Sequence, residues 1–155
     1  MHSINGYQCQ YEYSLSHPDA ENVVFLNGIL NKAQSWHHQV ELIQEMKLNA
    51  LSYDYRGQWY SQTTPGPYSL ELLADDLAAL MDHCGIEKAH LVGTSYGGFV
   101  TQAFVLKYPQ RVSSMFMVTS SPVITGRSRH IVENWCHFNQ AGENRLYYDA
   151  MLAVI

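Results

Sequence analysis

The sequence predicts an α/β fold in which a mainly parallel sheet is flanked by helices. Two observations lead to this prediction. Short apolar runs, typical of strands buried on both faces, alternate along the chain with longer segments in which apolar residues recur every three or four positions. A hydrophobic content of 46% in 155 residues is enough for one packed core and one domain. Such alternation is expected to join parallel strands through right-handed crossover helices.

The first half of the chain supplies three predicted strands and one helix. Residues 7–15 alternate like a strand, which we expect to be antiparallel to its neighbour, and a turn follows at Pro18. Residues 22–26 form a continuous apolar run that ends at Asn27-Gly28, and residues 49–55 are again strand-like. Between these two strands, residues 35–47 carry a helical apolar stripe made of Trp36, Val40, Ile43 and Met46.

The second half continues the alternation. After a loop at 58–69, Ser69 is placed to cap a helix with an apolar face, and Gly85 is placed to end it. A buried strand at 88–92, a helix at 99–107 stopped by Pro109, and a strand at 112–119 follow. Beyond Pro122 two short amphipathic helices are predicted on either side of Gly142, with the apolar residues Ile131, Val132, Trp135, Phe138, Tyr148, Met151, Leu152 and Ile155.

Composition narrows the classes of partner. The net charge of −5 is spread along the chain, so we expect neither nucleic acid nor membrane as a partner. The three cysteines form no C-x-x-C pair, and residues 1–10 lack the features of a secretory signal. These features predict a cytoplasmic protein. With no metal-ligand cluster and no nucleotide-binding fingerprint in the sequence, we expect no cofactor.

The motif that carries chemistry is Gly93-Thr94-Ser95-Tyr96-Gly97, a G-x-S-x-G pattern placed between a buried strand and a helix. A serine at such a strand-to-helix turn adopts strained backbone angles, and only small residues fit two positions to either side. This context predicts Ser95 as a nucleophile at the carboxyl ends of the strands. A flexible turn or a phosphate-binding loop is the alternative interpretation, although the spacing lacks the Lys-Ser or Lys-Thr that such a loop uses. His90 lies at the opposite end of the same strand and is interpreted as structural.

Three further segments occur in the order found in the α/β-hydrolase superfamily, which the chain resembles up to Pro122. Residues 22–30 resemble that family's third strand and His-Gly loop, with Asn27 in place of the histidine. Residues 54–61 resemble its D-x-R-G-x-G-x-S segment, with Trp59 in place of a glycine, and residues 108–112 resemble its Y-P-x-R-V junction. The resemblance implies an oxyanion hole formed by the backbone N–H groups of Ile29 and Tyr96. It also implies that Asp54 and Arg56 shape a loop beside the site.

The resemblance further implies an incomplete α/β-hydrolase fold with the start of a helical lid. We expect residues 1–126 to form a partial core with strands one to six of the family, and residues 127–155 to form part of the lid. In relatives a catalytic acid and a histidine come from loops after later strands, and no later strand is predicted here. The acidic and histidine residues downstream of Ser95 are Glu133, Glu143, Asp149, His130 and His137. Glu133 and His137 could meet on one helix face, which is usually a solvated contact.

These expectations lead to one leading function and two alternatives. The leading hypothesis is a serine hydrolase that acts on a small ester, thioester or lactone and is inactive as this chain alone, which is either a naturally short protein or a piece of a longer enzyme. An acyltransferase on the same scaffold and a non-catalytic binding module are the alternatives. The strand at 112–119 is expected to be an apolar sheet edge, which favours a homodimer or aggregation.

Overall fold

The computed structural model describes residues 1–152, with side chains as far as Ala150. The chain forms two compact units, residues 1–121 and a second unit that begins at Pro122. Ile155, which belongs to the predicted last helix, lies outside the described residues, as do the side chains of Met151 and Leu152. The domain division that the sequence predicts, 1–126 and 127–155, stays a prediction.

The first unit alternates strands and helices in the predicted order. Its strands are β1 (His2–Ile4), β2 (Tyr7–Cys9), β3 (Tyr11–Ser14), β4 (Asn22–Leu26), β5 (Asn49–Tyr53), β6 (Ala89–Thr94) and β7 (Val112–Val118). Its helices are α1 (His37–Glu45), α2 (Leu70–His83) and α3 (Tyr96–Lys107), with short 3-10 helices at Ala33–Trp36 and Pro109–Arg111.

Five of these strands form one sheet in the order β3-β5-β4-β6-β7. The pairs β4–β5, β4–β6 and β6–β7 are parallel, whereas β3 runs antiparallel to β5. The mainly parallel sheet is therefore confirmed, and β3, which covers part of the strand predicted at residues 7–15, is antiparallel to its neighbour as expected. Because β4 lies between β5 and β6, the loop that follows β4 and the turn that follows β6 lie side by side at the carboxyl edge.

The single strand predicted over residues 7–15 is wrong, because this segment forms two strands in two sheets. β2 pairs with β1 in a hairpin, whereas β3 joins the main sheet. The hairpin turns at Asn5-Gly6, where both residues have positive φ angles of 42° and 80°. Asn-Gly is the preferred dipeptide of such turns, so the signal for this hairpin was present in the sequence.

Helices cover both faces of the sheet. On one face Val24, Leu26 and Leu91 pack into the larger core with residues of α2 and α3 such as Leu77 and Phe104. On the other face Val23 and Phe25 pack against the partly buried Trp36, Val40 and Ile43. The fourth residue of the predicted stripe, Met46, lies beyond the end of α1 and is 67% exposed.

The ends of α2 follow the capping chemistry that the sequence predicts. The Ser69 hydroxyl accepts a hydrogen bond from the Leu72 N–H at 3.1 Å, and Gly85 has a φ of +69° just after the helix. The next helix, α3, begins at Tyr96, three residues before the predicted start at Phe99. This difference matters for the site, because the helix then begins immediately after Ser95.

The second unit contains α4 (Gly126–Gln140) and α5 (Asn144–Leu152), with Gly142 at a φ of +73° between them. Both predicted tail helices are therefore confirmed. In α4 the Glu133 carboxylate lies 3.4 Å from the His130 ring, and both side chains are exposed. No helix within residues 1–152 has both the length and the apolar character needed to cross a bilayer.

Candidate active site

Ser95 occupies the single-residue turn between β6 and α3. Its φ of 51° and ψ of −113° lie outside the relaxed helical and extended regions, as expected for a strained strand-to-helix turn. The Ser95 N–H donates to the Val118 carbonyl of β7 at 2.8 Å, and the Ser95 carbonyl accepts from the Gly98 N–H at 3.0 Å. These bonds hold an exposed serine at the carboxyl edge of the parallel strands.

The two glycines that flank this turn are required by close backbone contacts. A Cβ added to Gly93 would lie 2.6 Å from the Gly97 carbonyl oxygen. A Cβ added to Gly97 would lie 2.8 Å from the Asn27 carbonyl oxygen and would also collide with the Leu26 carbonyl. The first turn of α3 therefore lies directly against the end of β4. Because of this close approach, only glycine fits at the two outer positions of the G-x-S-x-G pattern.

The loop after β4 reaches Ser95 through Gly28. A Cβ built on Gly28 would lie 3.7 Å from the Ser95 Cβ, which is ordinary contact distance. Ile29 and Leu30 are the central residues of a turn that is closed by the Asn31 N–H donating to the Gly28 carbonyl at 3.2 Å. Tyr96, on the other side of Ser95, is the first residue of α3, so its N–H has no acceptor within the helix. Of the two oxyanion donors that the resemblance implies, Tyr96 follows Ser95 directly in the chain, and Ile29 follows Gly28, whose position contacts Ser95.

Asn27 takes the place of the family's histidine and is completely buried. Its side-chain amide donates to the Tyr53 carbonyl at 2.8 Å, and its side-chain oxygen accepts from the Trp36 indole at 2.7 Å. Its backbone carbonyl accepts from the Tyr55 hydroxyl at 3.2 Å. Asn27 therefore ties the start of the loop to β5 and to the helical side of the sheet, which fixes the path of the loop without an imidazole.

Two residues for which the sequence predicts no role complete this support. Gln58 donates from its side-chain amide to the carbonyls of Gly28 at 2.9 Å and Ile29 at 3.2 Å. Trp59 donates from its indole to the Leu30 carbonyl at 3.2 Å. The one sequence signal for Trp59 is its departure from the glycine of the D-x-R-G-x-G-x-S pattern. Position 58 is unspecified in that pattern, so Gln58 carries no signal at all.

Asp54 holds neighbouring loops together. Its carboxylate accepts from the Ala33 N–H at 2.7 Å and from the Tyr60 N–H at 3.3 Å. Burial raises the pKa of the Asp54 carboxyl above its ordinary value, while these two bonds act in the opposite direction.

Arg56 forms a buried ion pair with Asp76. Its guanidinium donates to both carboxylate oxygens, at 2.9 and 2.6 Å, and lies 4.5 Å from the centre of the Tyr7 ring. The hydrogen bond to Asp76 is the main cause of a raised Arg56 pKa. Both charges of the Asp54–Arg56 segment are therefore engaged in the scaffold, as the resemblance implies.

A cavity of about 240 Å³ reaches Tyr96, the residue that follows Ser95, although Ser95 itself does not line it. Ile29 and Tyr96 line it together with Gln58 and the aromatic rings of Tyr55 and Tyr68. Burial raises the Tyr96 pKa, so this hydroxyl is neutral near pH 7. Arg56, Gly57 and Leu73 complete the wall, so the cavity is small and mixed in character, and it touches both residues proposed as oxyanion donors.

No general base accompanies Ser95 within residues 1–121, because no histidine or carboxylate of this unit forms a hydrogen bond with its hydroxyl. His90 contacts Ser114 at 2.8 Å and Glu21 at 3.6 Å instead. It is separated from Ser95 by five residues of strand, or about 17 Å. In the part of the chain that the structure describes, no group of three or more His, Cys, Asp or Glu side chains is arranged to hold a metal ion.

Comparison with known proteins places this geometry in a family. A family profile described as alpha/beta hydrolase fold matches residues 21–142. The chain is 30% identical over 106 residues to 3-oxoadipate enol-lactonase 2 of Acinetobacter baylyi, an alignment that covers 68% of this chain and 39% of the lactonase. The chain thus spans about two fifths of the length of that relative.

Solved structures agree with the profile. The enol-lactonase from Burkholderia xenovorans LB400 superposes with a TM-score of 0.84 and 27% identity, over 97% of this chain and 57% of that one. The alpha/beta hydrolase MGS-M2, from a Medee basin deep-sea metagenome library, superposes with a TM-score of 0.87 and 25% identity, over 97% and 55% of the two chains. Because the profile match extends over well more than half of the residues, this chain belongs to the alpha/beta hydrolase fold family.

Proposed function

We propose that Ser95 is the nucleophile of a serine hydrolase that acts on a small ester, thioester or lactone. The observation that carries this proposal is the strained, exposed Ser95 turn, with the Ile29 loop against it and the Tyr96 N–H at the start of α3. The similarity to two enol-lactonases supports a lactone or a related acyl compound as substrate. The 240 Å³ cavity supports a small acyl group.

The proposed first step is attack of the Ser95 oxygen on the substrate carbonyl carbon. A bond forms to that carbon, the carbonyl π electrons move to its oxygen, and the serine proton must pass to a base. The N–H groups of Ile29 and Tyr96 would hold the resulting oxyanion, and the helix dipole of α3 adds favourable potential at its amino terminus. A pair of aligned donors is valuable here, since loss of one typically costs about 3 to 4 kcal/mol of barrier.

This chain alone is expected to be inactive or nearly so. Serine needs a base to become a good nucleophile, and within residues 1–121 no histidine contacts the Ser95 hydroxyl. The direct test is hydrolysis of nitrophenyl acetate and butyrate by the chain and by Ser95→Ala. Equal, near-background rates are expected, whereas Ser95-dependent turnover far above background would refute the inactivity.

A second experiment tests the nucleophile itself by supplying a base from solution. Free imidazole is added with nitrophenyl acetate, and covalent acetylation is located by peptide mass spectrometry. We expect acetyl to accumulate on Ser95 as imidazole is raised, because the donors at Ile29 and Tyr96 favour attack at this serine. Ser128→Ala, which removes an exposed serine elsewhere, is the matched control for Ser95→Ala. Acetyl spread evenly over exposed serines would contradict the proposed role of Ser95.

A further inference from the structure

Three consecutive carbonyl groups of the loop beside Ser95 are bound by two consecutive side chains. Gln58 binds the carbonyls of Gly28 and Ile29, and Trp59 binds that of Leu30. Both donors come from the loop after β5, which is adjacent to β4 in the sheet. The Gly28 carbonyl therefore accepts from Gln58 outside the loop as well as from the Asn31 N–H within it, and the carbonyls of Ile29 and Leu30 accept from outside the loop.

From this contact we infer that Gln58 is a positioning residue that aims the Ile29 N–H at the oxyanion of the substrate. This inference rests on the proposed function and assigns a device within the same site. The Gly28 carbonyl and the Ile29 N–H belong to one planar trans peptide unit, so they point in opposite directions. When the Gln58 amide draws the Gly28 carbonyl toward itself, the Ile29 N–H must turn away from Gln58.

Gln58 can exert this effect because its own amide is held on both sides. Its side-chain oxygen accepts from the Tyr55 N–H at 3.2 Å and from the Asn27 side-chain amide at 3.3 Å. The side-chain nitrogen must then face the loop carbonyls, since an amide has one acceptor end and one donor end. A glutamate at this position would keep the acceptor and lose the donor.

Trp59 also binds the same loop, and it does so from a strained backbone conformation. Its φ is +43°, a region that glycine adopts readily and a bulky residue adopts at a cost. The indole is 58% exposed, so burial of the ring does little to offset this cost. The indole donates to the Leu30 carbonyl in this conformation, and the Lys32 ammonium lies 5.8 Å from the centre of its ring. The bond to Leu30 fixes the far end of the turn that contains Ile29.

The test measures the direction of the Ile29 N–H in the full chain by residual dipolar couplings of a ¹⁵N-labelled, aligned sample. Gln58→Glu retains the acceptor and removes the donor, while Gln58→Met removes both. Gln110→Glu, at an exposed position, is the control for the added charge. We expect the Ile29 coupling to change in both Gln58 variants, with the amide couplings of α2 unchanged. Using two variants guards against the failure of one to fold, which thermal unfolding would reveal.

Two outcomes separate this inference from the proposed function. An Ile29 coupling that is the same in wild type, Gln58→Glu and Gln58→Met would overturn the positioning role. If the coupling changes, imidazole-assisted acetylation of Ser95 should slow by about tenfold or more, since complete loss of an oxyanion donor costs roughly 100-fold to 1000-fold. A changed coupling with an unchanged acetylation rate would also overturn the inference, because the Ile29 N–H would then not serve the oxyanion, whereas the proposed nucleophilic role of Ser95 would stand.

Discussion

Replacement of Gly97 by alanine has two opposite effects on the stability of the protein, one from helix propensity and one from close packing. Gly97 lies in the first turn of α3, and alanine is favoured over glycine in helices by up to about 1 kcal/mol. Helix propensity alone therefore predicts a more stable protein. The structure predicts the opposite, because the new Cβ would lie 2.6 Å from the Leu26 carbonyl carbon and 2.8 Å from the Asn27 carbonyl oxygen.

The magnitude follows from these distances. Carbon atoms attract best at separations of about 3.5 to 4.0 Å, so α3 and the end of β4 would have to separate by about 1 Å. The atoms in contact are backbone, which cannot rotate away, and overpacking of this kind costs about 3 kcal/mol. After the gain in helix propensity of about 1 kcal/mol, we expect a net loss of about 2 kcal/mol in the free energy of unfolding.

Urea denaturation followed by circular dichroism gives this free energy, and a fall in Tm of about 4 to 8 °C should accompany it. Gly85→Ala is the control, because Gly85 has a φ of +69° but no atom within 4 Å of its added Cβ. That variant should be destabilised only by the strain of a positive φ, by about 1 kcal/mol. If Gly97→Ala proves as stable as wild type or more stable, the close approach of α3 to β4 is wrong.

Three further predictions concern other parts of the chain. Burial raises the pKa of the Cys84 thiol to about 11, so iodoacetamide at pH 8 should alkylate the exposed Cys136 much faster than Cys84. Peptide mass spectrometry would measure both rates, and equal rates would contradict the burial of Cys84. The pKa of Asp54 is raised above 3.8 by burial, so its protonation stabilises the folded state at low pH, and this stability is lost as pH rises through the folded-state pKa. As pH rises through this range, the free energy of unfolding of the wild type should therefore fall relative to that of Asp54→Asn. A difference between the two proteins that is the same at every pH in denaturation measurements would refute this. Phe116, on the outermost described strand β7, is 64% exposed, so we expect the wild-type chain to self-associate in light scattering and Phe116→Lys to reduce this association. A wild-type chain that is monomeric at high concentration would contradict an exposed apolar edge.

The order and type of most elements could be predicted because each depends on local signals. The apolar run at 22–26 and the stripe of α2 reflect burial on fixed faces, and Ser69 and Gly85 supply the chemistry of the helix ends. The strand at 7–15 was the main failure. Gln10 interrupts it through bonds with distant residues, its N–H donating to Ser61 and its carbonyl accepting from the Asp54 N–H, and alternation within the segment gives no sign of these contacts.

The candidate site divides in the same way. Ser95 could be located because a strained turn demands small neighbours, which leaves glycines at fixed spacing in the sequence. Gln58 could not be located, since its effect depends on the meeting of two loops whose residues are 30 positions apart in the chain. A polar residue in a loop looks the same in sequence whether it faces solvent or binds a carbonyl.

The sequence by itself determined the α/β class, the alternation of strands and helices and the position of the turn at Ser95, because these features follow from periodicity and from the steric needs of neighbouring residues. Only the tertiary structure decided which strands are adjacent, that α3 lies against the end of β4, and that Gln58 and Trp59 bind the loop beside Ser95. These contacts join distant segments, and their stability comes from atoms that approach one another only when the sheet has formed.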